Sequence, residues 1–204
     1  MLKHAVLSLG LGLAWALPNN LLPLTVPKAS ETGCQLEPVQ GDLNDKSFEI
    51  YTYKYTGDGV HATDYFSSVR HEGCSGGGAC VWKFIQCDYS ADYEGGIYVL
   101  QNKKYQTYLY GNIAYAMSHV TDTFDNVCYV YKNYHHIVFR DPCSENQYYL
   151  YNLGYSQWVY GSAAGLMTHS DCNTDASLAH GCGDFRTLEL RDLTIPEETM
   201  NGIL

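Results

Sequence analysis

The sequence predicts an all-β protein, an antiparallel up-and-down β-barrel stapled by disulfides. Aromatic residues make up 14% of the 204 residues, and 19 residues are tyrosines, a type that favours pleated, half-buried strands. Short β-type runs are separated by turn signals about 8–12 residues apart, as in sandwiches and barrels. Eight cysteines complete the pattern of a small exported domain. A β-trefoil and a β-sandwich are the minority fold interpretations.

The N-terminus has the pattern of a secretory signal peptide. Lys3 precedes an apolar run over residues 5–16, which ends in the small-x-small sequence Ala14-Trp15-Ala16. The run is too short for a membrane span, which needs about 20 residues. We therefore expect a secreted, extracellular protein. The expected organisation is a signal peptide at 1–16, an extended N-terminal segment at 17–33, and a single β-barrel domain at 34–204.

Ten runs of the mature chain have the composition of strands. The first alternates aromatic and polar residues and stops at Gly57, and a glycine-rich loop is expected through residues 73–78. Pro196 with the acids after it predicts one or two helical turns near the C-terminus. The predicted strands are Phe48–Tyr55, Val81–Tyr89, Ile97–Gln101, Tyr105–Tyr110, Ile113–Met117, Val127–Tyr131, Ile137–Phe139, Tyr148–Tyr151, Gln157–Tyr160 and Phe185–Arg191.

One weak internal repeat supports the β-trefoil alternative. The run Tyr108-Leu109-Tyr110-Gly111-Asn112 resembles Tyr149-Leu150-Tyr151-Asn152, and an aromatic-rich strand follows each. Three such units would make a β-trefoil. Only two are visible in the sequence, so the barrel remains the main prediction.

Secretion makes the cysteines a disulfide framework. Spacing alone does not fix the pairing. The absence of Cys-x-x-Cys argues against a zinc ribbon or a thioredoxin-type site. The predicted disulfide cysteines are Cys34, Cys74, Cys80, Cys87, Cys128, Cys143, Cys172 and Cys182.

The charge and the motifs exclude several function classes. A formal net charge of −10 gives no basic surface for nucleic acid, and no segment is suited to membrane insertion. The chain has no hydrolase elbow, phosphate loop or zincin motif. We therefore expect a non-enzymatic protein with no catalytic residue, no cofactor and no metal.

Three polar segments are interpreted as structural. Residues 168–171 include the Ser, His and Asp residue types of a catalytic triad. Consecutive residues cannot bring a nucleophile, a base and an orienting acid together, so a polar loop is expected. His135 and His136 would point to opposite faces of a strand, so they cannot share a metal. The loop at 171–175 lacks the glycine and closing glutamate of a calcium loop, and a solvated loop stapled by Cys172 is expected.

Several short pieces, taken in order, resemble a lipocalin of the apolipoprotein D kind. The pieces are Cys34-Gln35-Leu36-Glu37-Pro38-Val39-Gln40, Phe48-Glu49-Ile50, Ile85-Gln86-Cys87-Asp88-Tyr89-Ser90, Tyr148–Tyr151, Gln157–Tyr160 and Ile195–Thr199. The family's Gly-x-Trp motif is absent, and Asp45-Lys46-Ser47 stands in its place. The resemblance implies an eight-stranded barrel and a disulfide from Cys34 to a cysteine after the seventh strand, for which Cys172 is the nearest candidate.

The aromatic residues are the candidate binding groups. Strand side chains alternate, so tyrosines two positions apart share one face. Facing inward, they would line a barrel that carries a small, largely apolar ligand, which is the leading functional prediction. The predicted ligand-binding residues are Tyr53, Tyr108, Tyr110, Tyr129, Tyr131 and Trp158.

The alternative prediction is an extracellular matrix or recognition module. Such a module would bind a glycan, a mineral or a protein partner through exposed tyrosines, whose rings are apolar and whose hydroxyls form hydrogen bonds. The direction of the tyrosines separates the two predictions. Convergence on a cavity favours the carrier, and an outward-facing patch favours the module.

Overall fold

The computed structural model describes residues 34–55, 57–64, 68–74, 78–87, 95–170 and 188–193. These residues form 13 strands, which confirms the all-β class. Between β8 and β9 lie a π-helical turn at Asn126–Val130 and a 3-10 turn at Lys132–Tyr134. The strands are β1 (Glu37–Pro38), β2 (Ser47–Thr52), β3 (Asp58–Ala62), β4 (Val69–Gly73), β5 (Val81–Cys87), β6 (Ile97–Asn102), β7 (Tyr108–Gly111), β8 (Met117–Val120), β9 (His136–Arg140), β10 (Gln147–Asn152), β11 (Gln157–Gly161), β12 (Met167–Ser170) and β13 (Leu188–Asp192).

Six of these strands close into a ring. Strand β2 pairs with β5, β5 with β6, β6 with β9, β9 with β10, and β10 with β13, which returns to β2; every pairing is antiparallel. One face of these strands is apolar and forms the main core, in which Trp82, Phe84, Leu100, Leu150 and Leu188 are fully or almost fully buried. Closure pairs both edges of every ring strand, so the ring itself has no free edge.

The other long strands form three hairpins that leave the ring. They are β3–β4, β7–β8 and β11–β12. Backbone bridges join the hairpins to one another at Ser68–Ser118, Arg70–Leu166 and Ala116–Thr168. The chain therefore repeats one four-strand unit three times: a ring strand, a hairpin and a second ring strand. This is the β-trefoil arrangement, the minority interpretation of the sequence.

The second and third units also resemble each other in sequence. Residues 97–120 align with residues 147–170 without a gap, and β7 matches β11. The repeat that the sequence predicted, Tyr108–Asn112 with Tyr149–Asn152, has the wrong register because β7 belongs to a hairpin and β10 to the ring. The pairs that share a residue include Asn102 with Asn152, Tyr105 with Tyr155, Gly111 with Gly161, Met117 with Met167, and His119 with His169.

The predicted up-and-down barrel is wrong in its connectivity. Such a barrel pairs each strand with the next one, whereas β2 pairs with β5 because the β3–β4 hairpin projects out of the ring. The sequence prediction missed that hairpin because it is rich in glycine. Gly59 lies against the Cys74–Cys80 disulfide, where a Cβ atom would collide with the Cys74 sulfur. Strand β12 also replaces the polar loop expected at residues 168–171.

The strand predicted at Val127–Tyr131 is a π-helical turn instead. Local polar groups favour the turn: the hydroxyl of Thr123 accepts a hydrogen bond from the Asn126 backbone N–H, and the Asp122 carboxylate accepts one from the Thr123 N–H. Cys128, within the turn, is bonded to Cys87 at the end of β5. These local constraints override the β propensity of the valines and tyrosines.

Three disulfides lie in the described part of the chain: Cys34–Cys143, Cys74–Cys80 and Cys87–Cys128. They fit an oxidising compartment. The expected partner of Cys34 was wrong, because Cys143 in the β9–β10 connection takes the place proposed for Cys172. Several predictions concern residues outside the described ranges: Cys172, Cys182, the signal peptide, the segment 17–33, the loop 171–175 and the turn near Pro196.

Candidate functional site

The predicted ligand residues do not line one cavity. Trp158 is fully buried and packs against the rings of Phe139, Tyr149 and Tyr151, at centroid distances of 5.5, 6.2 and 5.0 Å. Tyr108 is also buried. A depression of about 300 Å³ beside β1 is lined by residues such as Glu37, Arg140 and Tyr148, and by none of the six. The six residues are therefore divided between the interior and the surface, which favours the recognition module over the carrier.

Three of the six predicted residues are exposed instead. The exposed fractions of Tyr53, Tyr129 and Tyr131 are 48%, 51% and 50%. Phe124 and Val130 beside them are 39% and 58% exposed. Three of the six exposed aromatic side chains in the described ranges, Phe124, Tyr129 and Tyr131, therefore lie on the segment between β8 and β9, and the others are Tyr53, Tyr115 and Tyr155.

This segment forms a cluster with β7. The Tyr110 ring lies 5.5 Å from the Tyr134 ring, and Tyr131 lies 6.4 Å from Tyr134 on another side. Phe124 meets Tyr129 edge to face at 6.3 Å. We call Tyr110, Phe124, Tyr129, Tyr131 and Tyr134, with Asp122, the tyrosine surface.

Asp122 connects the tyrosine surface to the backbone of the segment. Its carboxylate accepts hydrogen bonds from the Tyr134 hydroxyl at 3.1 Å and from the Asn126 amide at 2.8 Å. Partial desolvation acts to raise the pKa of Asp122, but the hydrogen bonds from Asn126, Thr123 and Tyr134 outweigh it and lower the pKa. The carboxylate is therefore ionised at neutral pH.

The tyrosines around this carboxylate keep their protons. Burial, and then the hydrogen bond to Asp122, raise the pKa of Tyr134. Burial, and then the charge of Asp122, raise the pKa of Tyr108. At neutral pH the surface thus combines apolar ring faces, neutral hydroxyl groups and one carboxylate.

The segment is held rigidly enough to present these groups. The Cys87–Cys128 disulfide ties it to the ring, and the His135 Nε2 atom donates a 2.8 Å hydrogen bond to the Val127 carbonyl. His136 is fully buried, and its Nε2 atom lies 3.2 Å from the Asn152 amide nitrogen. Burial lowers the pKa of His136 to about 3. Both histidines therefore contact protein groups around the segment.

A second set of functional candidates escaped the sequence prediction. Each four-strand unit places one tyrosine ring over one buried histidine ring: Tyr55 over His71 at 4.6 Å, Tyr105 over His119 at 5.7 Å, and Tyr155 over His169 at 4.7 Å. The gap-free alignment of the second and third units contains two of these pairs. That alignment was the signal that could have found them.

Two of these histidines, His71 and His169, join neighbouring hairpins, whereas His119 bonds Thr107 within its own unit. The Nε2 atom of His71 donates to the Ser162 carbonyl of the third unit, and that of His169 donates to the Asn112 carbonyl of the second. The Nδ1 atom of His169 meets the Gln157 side chain. Burial lowers the pKa of His169, so this histidine is neutral at neutral pH.

The described residues hold one group of close metal-type ligands, Cys34, Asp141 and Cys143. Its two cysteines form a disulfide, so their sulfurs cannot act as thiolate ligands. None of the helical turns in the described ranges is long and apolar enough to span a membrane.

Comparisons with known proteins agree with the topology. No family model and no curated protein matches the chain. The designed three-fold symmetric protein ThreeFoil matches with a TM-score of 0.53 and 14% identity, over 72% of this chain and 99% of its own. The ricin B-like lectin of Macrolepiota procera in complex with lactose matches with a TM-score of 0.52 and 15% identity, over 72% and 95%. The BEL β-trefoil matches with a TM-score of 0.56 and 12% identity, over 77% and 97%.

These structures define the fold class as a β-trefoil, and identities this low show the fold alone. They overturn the lipocalin resemblance, because the similar structures are β-trefoil lectins and toxins. Those lipocalin-like pieces that fall in the described ranges lie in strands and turns of a different connectivity. For example, Phe48–Ile50 lies in β2, which pairs with β13 and β5 in the closed ring.

Proposed function

We propose that this protein is a secreted, non-enzymatic recognition module that binds a carbohydrate through the tyrosine surface. One observation carries the proposal. The exposed rings of Phe124, Tyr129 and Tyr131 lie on the same connection as the ionised Asp122 carboxylate, and a disulfide ties that connection to the ring of strands. The alternative sequence prediction, recognition through exposed tyrosines, is the one that this arrangement supports.

The chemistry of the surface suits a sugar. One face of a pyranose is formed by C–H groups, which pack on an aromatic ring such as that of Tyr131. Its hydroxyl groups need hydrogen-bond partners, and the surface supplies phenol hydroxyls and the Asp122 carboxylate. A charge-assisted hydrogen bond to a carboxylate is stronger than a neutral one, so Asp122 can orient the sugar.

The similar structures support the same ligand class. One is a lectin in complex with lactose, and another is an endo-β-galactosidase from Clostridium perfringens that releases GlcNAcα1-4Gal. Proteins that bind or release carbohydrates are thus among the structures similar to this chain.

A printed glycan array tests the proposal. The purified protein should bind a defined set of oligosaccharides, and Tyr131→Ala should weaken that binding by about tenfold because a stacking ring is lost. Asp122→Asn, which keeps the side-chain shape, should also weaken it. Tyr53→Ala removes a phenol of similar exposure outside the surface and should leave binding unchanged.

The same array can contradict the proposal. Absence of binding to every glycan, or binding that Tyr131→Ala and Asp122→Asn leave unchanged, rules out a sugar site on this surface. A protein partner is the second candidate, which the exposed apolar side chains of Phe124 and Val130 favour. Val130→Ser would then reduce complex formation with that partner. The same variant should leave glycan binding on the array unchanged, because it removes no aromatic ring.

A further inference from the structure

The third Tyr–His pair differs from the other two in its exposure. The rings of Tyr55 and Tyr105 are only partly exposed, and Tyr105 packs against the main core. Tyr155 is 37% exposed, although its ring stacks on His169 as closely as Tyr55 stacks on His71. Tyr155 is therefore the most exposed of the three tyrosines at these equivalent positions.

A second tyrosine flanks this open position. Tyr115, from the β7–β8 turn of the neighbouring unit, is 63% exposed, and its ring lies 6.0 Å from the His169 ring at an angle of 46°. The Tyr115 carbonyl accepts a 2.9 Å hydrogen bond from the His169 backbone N–H. The rings of two exposed tyrosines thus both lie against one buried histidine.

Tyr115 has a backbone conformation that disfavours a tyrosine. Its φ is +62°, in the left-handed region, and Gly165 has φ +74° at the same position of the β11–β12 turn. Both turns make the same backbone hydrogen bonds, from Tyr115 to Asn112 and from Gly165 to Ser162. The turn therefore accepts glycine without strain, whereas the second unit retains a strained and largely exposed tyrosine.

We propose that Tyr115 and Tyr155 form a second carbohydrate subsite, which takes an uncharged pyranose. The choice of a sugar rests on the proposed function; the place of the subsite rests on the geometry of these two rings. The groups that contact the His169 ring are the Gln157 side chain and the Asn112 backbone carbonyl, and neither carries a formal charge. This subsite differs from the tyrosine surface, which has the Asp122 carboxylate.

The subsite makes the protein bivalent. Two surfaces built from different residues on one chain bind a multivalent glycan more tightly than either surface alone, provided that the glycan reaches both. The carboxylate-containing surface and the neutral subsite also differ in chemistry, so they select different sugars of one glycan.

Titration of the ¹⁵N-labelled full chain tests the subsite. The probes are the methyl glycosides of galactose, N-acetylgalactosamine, mannose and N-acetylglucosamine. At least one should shift the backbone amide signals of Tyr115, Tyr155 and His169 in a saturable way. Tyr115→Gly, which copies Gly165, should weaken this response by about tenfold with no loss of stability, since it removes a ring and relieves the turn.

The pattern of shifts separates the two proposals. Shifts confined to residues 122–134 overturn the second subsite and leave the proposed function intact. Shifts confined to Tyr115, Tyr155 and His169 keep the subsite and overturn the tyrosine surface, and an unperturbed spectrum with all four probes overturns both. Tyr53→Ala is the matched control and should titrate as the wild type does. A response that Tyr115→Gly leaves unchanged also contradicts the subsite.

Discussion

Trp158 is enclosed on all sides, although it lies in a hairpin strand close to the surface turns. Its ring contacts Phe139, Tyr149 and Tyr151, and none of its surface is exposed. Large aromatic side chains in such surroundings contribute to stability through buried area and edge-to-face contacts. A ligand cannot touch this side chain without unfolding the cluster around it.

Truncation of Trp158 should therefore reduce stability. Trp158→Ala is expected to lower the free energy of unfolding by about 3–5 kcal/mol, because it removes buried area and leaves a cavity. Denaturant unfolding measures the change, with Trp158→Phe as a milder variant of the same sign. Tyr53→Ala, at an exposed position, should stay within about 0.5 kcal/mol of the wild type. A small loss for Trp158→Ala, together with altered ligand binding, would support a ligand role instead.

Alternation in the sequence predicts which side chains share a face but not whether that face looks inward. Tyr110 and Tyr108 share a face of β7 as predicted, and both lie close to the Asp122 segment. The decisive residues, Asp122 and Tyr134, lie outside every predicted strand, and no periodic pattern marks them. Residue-level prediction therefore found part of the tyrosine surface and missed the carboxylate at its centre.

The segment between β8 and β9 owes its conformation to a disulfide rather than to pairing in a sheet. Cys87–Cys128 closes a sequence separation of 41 residues, whereas Cys74–Cys80 closes only 6. In the chain-entropy description the longer loop gains more stability from its cross-link. The segment also makes up most of the tyrosine surface, so its stability and its recognition role are linked.

The two disulfides give a matched comparison. Replacing Cys87 and Cys128 by alanine should lower the free energy of unfolding by about 4 kcal/mol, and the same change at Cys74 and Cys80 by about 2 kcal/mol. Glycan binding of each variant is measured about 20 °C below the melting temperature of that variant, so that both are folded. Only the variant without Cys87–Cys128 should lose binding, because only this change releases the segment between β8 and β9 from the ring. Equal loss of binding in both variants would place the site elsewhere.

At the level of elements, the sequence predicted most of the ring strands but missed the β3–β4 hairpin and strand β12. Runs such as Val81–Tyr89 and Tyr148–Tyr151 lie within one or two residues of β5 and β10, because a buried ring strand must be continuously apolar on one face. The β3–β4 hairpin has Gly59 and Gly73 in place of strong β formers. Its pairing depends on the disulfide beside it and on the other hairpins, which are contacts distant in sequence.

The whole molecule combines a closed ring with three interlocked hairpins, and this explains why the fold is shared at 10–15% identity. The architecture needs one apolar face per ring strand and a tight turn per hairpin, conditions that many sequences satisfy. The connectivity cannot be derived from alternation, since an up-and-down barrel and a β-trefoil need the same strand pattern. The sequence signal for threefold repetition is the gap-free alignment of residues 97–120 with residues 147–170. Each of these segments contains one ring strand and the hairpin that follows it.

Buried histidines in this interlocked arrangement make stability depend on pH. Burial lowers the pKa of His119, His136 and His169 in the folded state, and that of His136 falls to about 3. In the unfolded chain a histidine has a pKa of about 6.5. Below that value the unfolded state binds more protons than the folded state, so acidification favours unfolding. Asp122, whose pKa is lowered, acts in the same direction only at pH values below its unfolded pKa of about 4.

We therefore expect the free energy of unfolding to be constant between about pH 7.5 and pH 9, below the range in which the tyrosines ionise, and to fall between about pH 6.5 and pH 4.5. Each buried neutral histidine should contribute up to about 1.4 kcal/mol per pH unit within its own window, and His136 has the widest window. Urea unfolding at pH 7.5, 6 and 5 measures the slope. His136→Asn should reduce that slope by the contribution of one histidine, and His119→Gln gives an independent check if the first variant folds poorly. A free energy that does not change between pH 7.5 and pH 5 would mean that these histidines gain protons in the folded state, and the interlock of the hairpins would then tolerate charge.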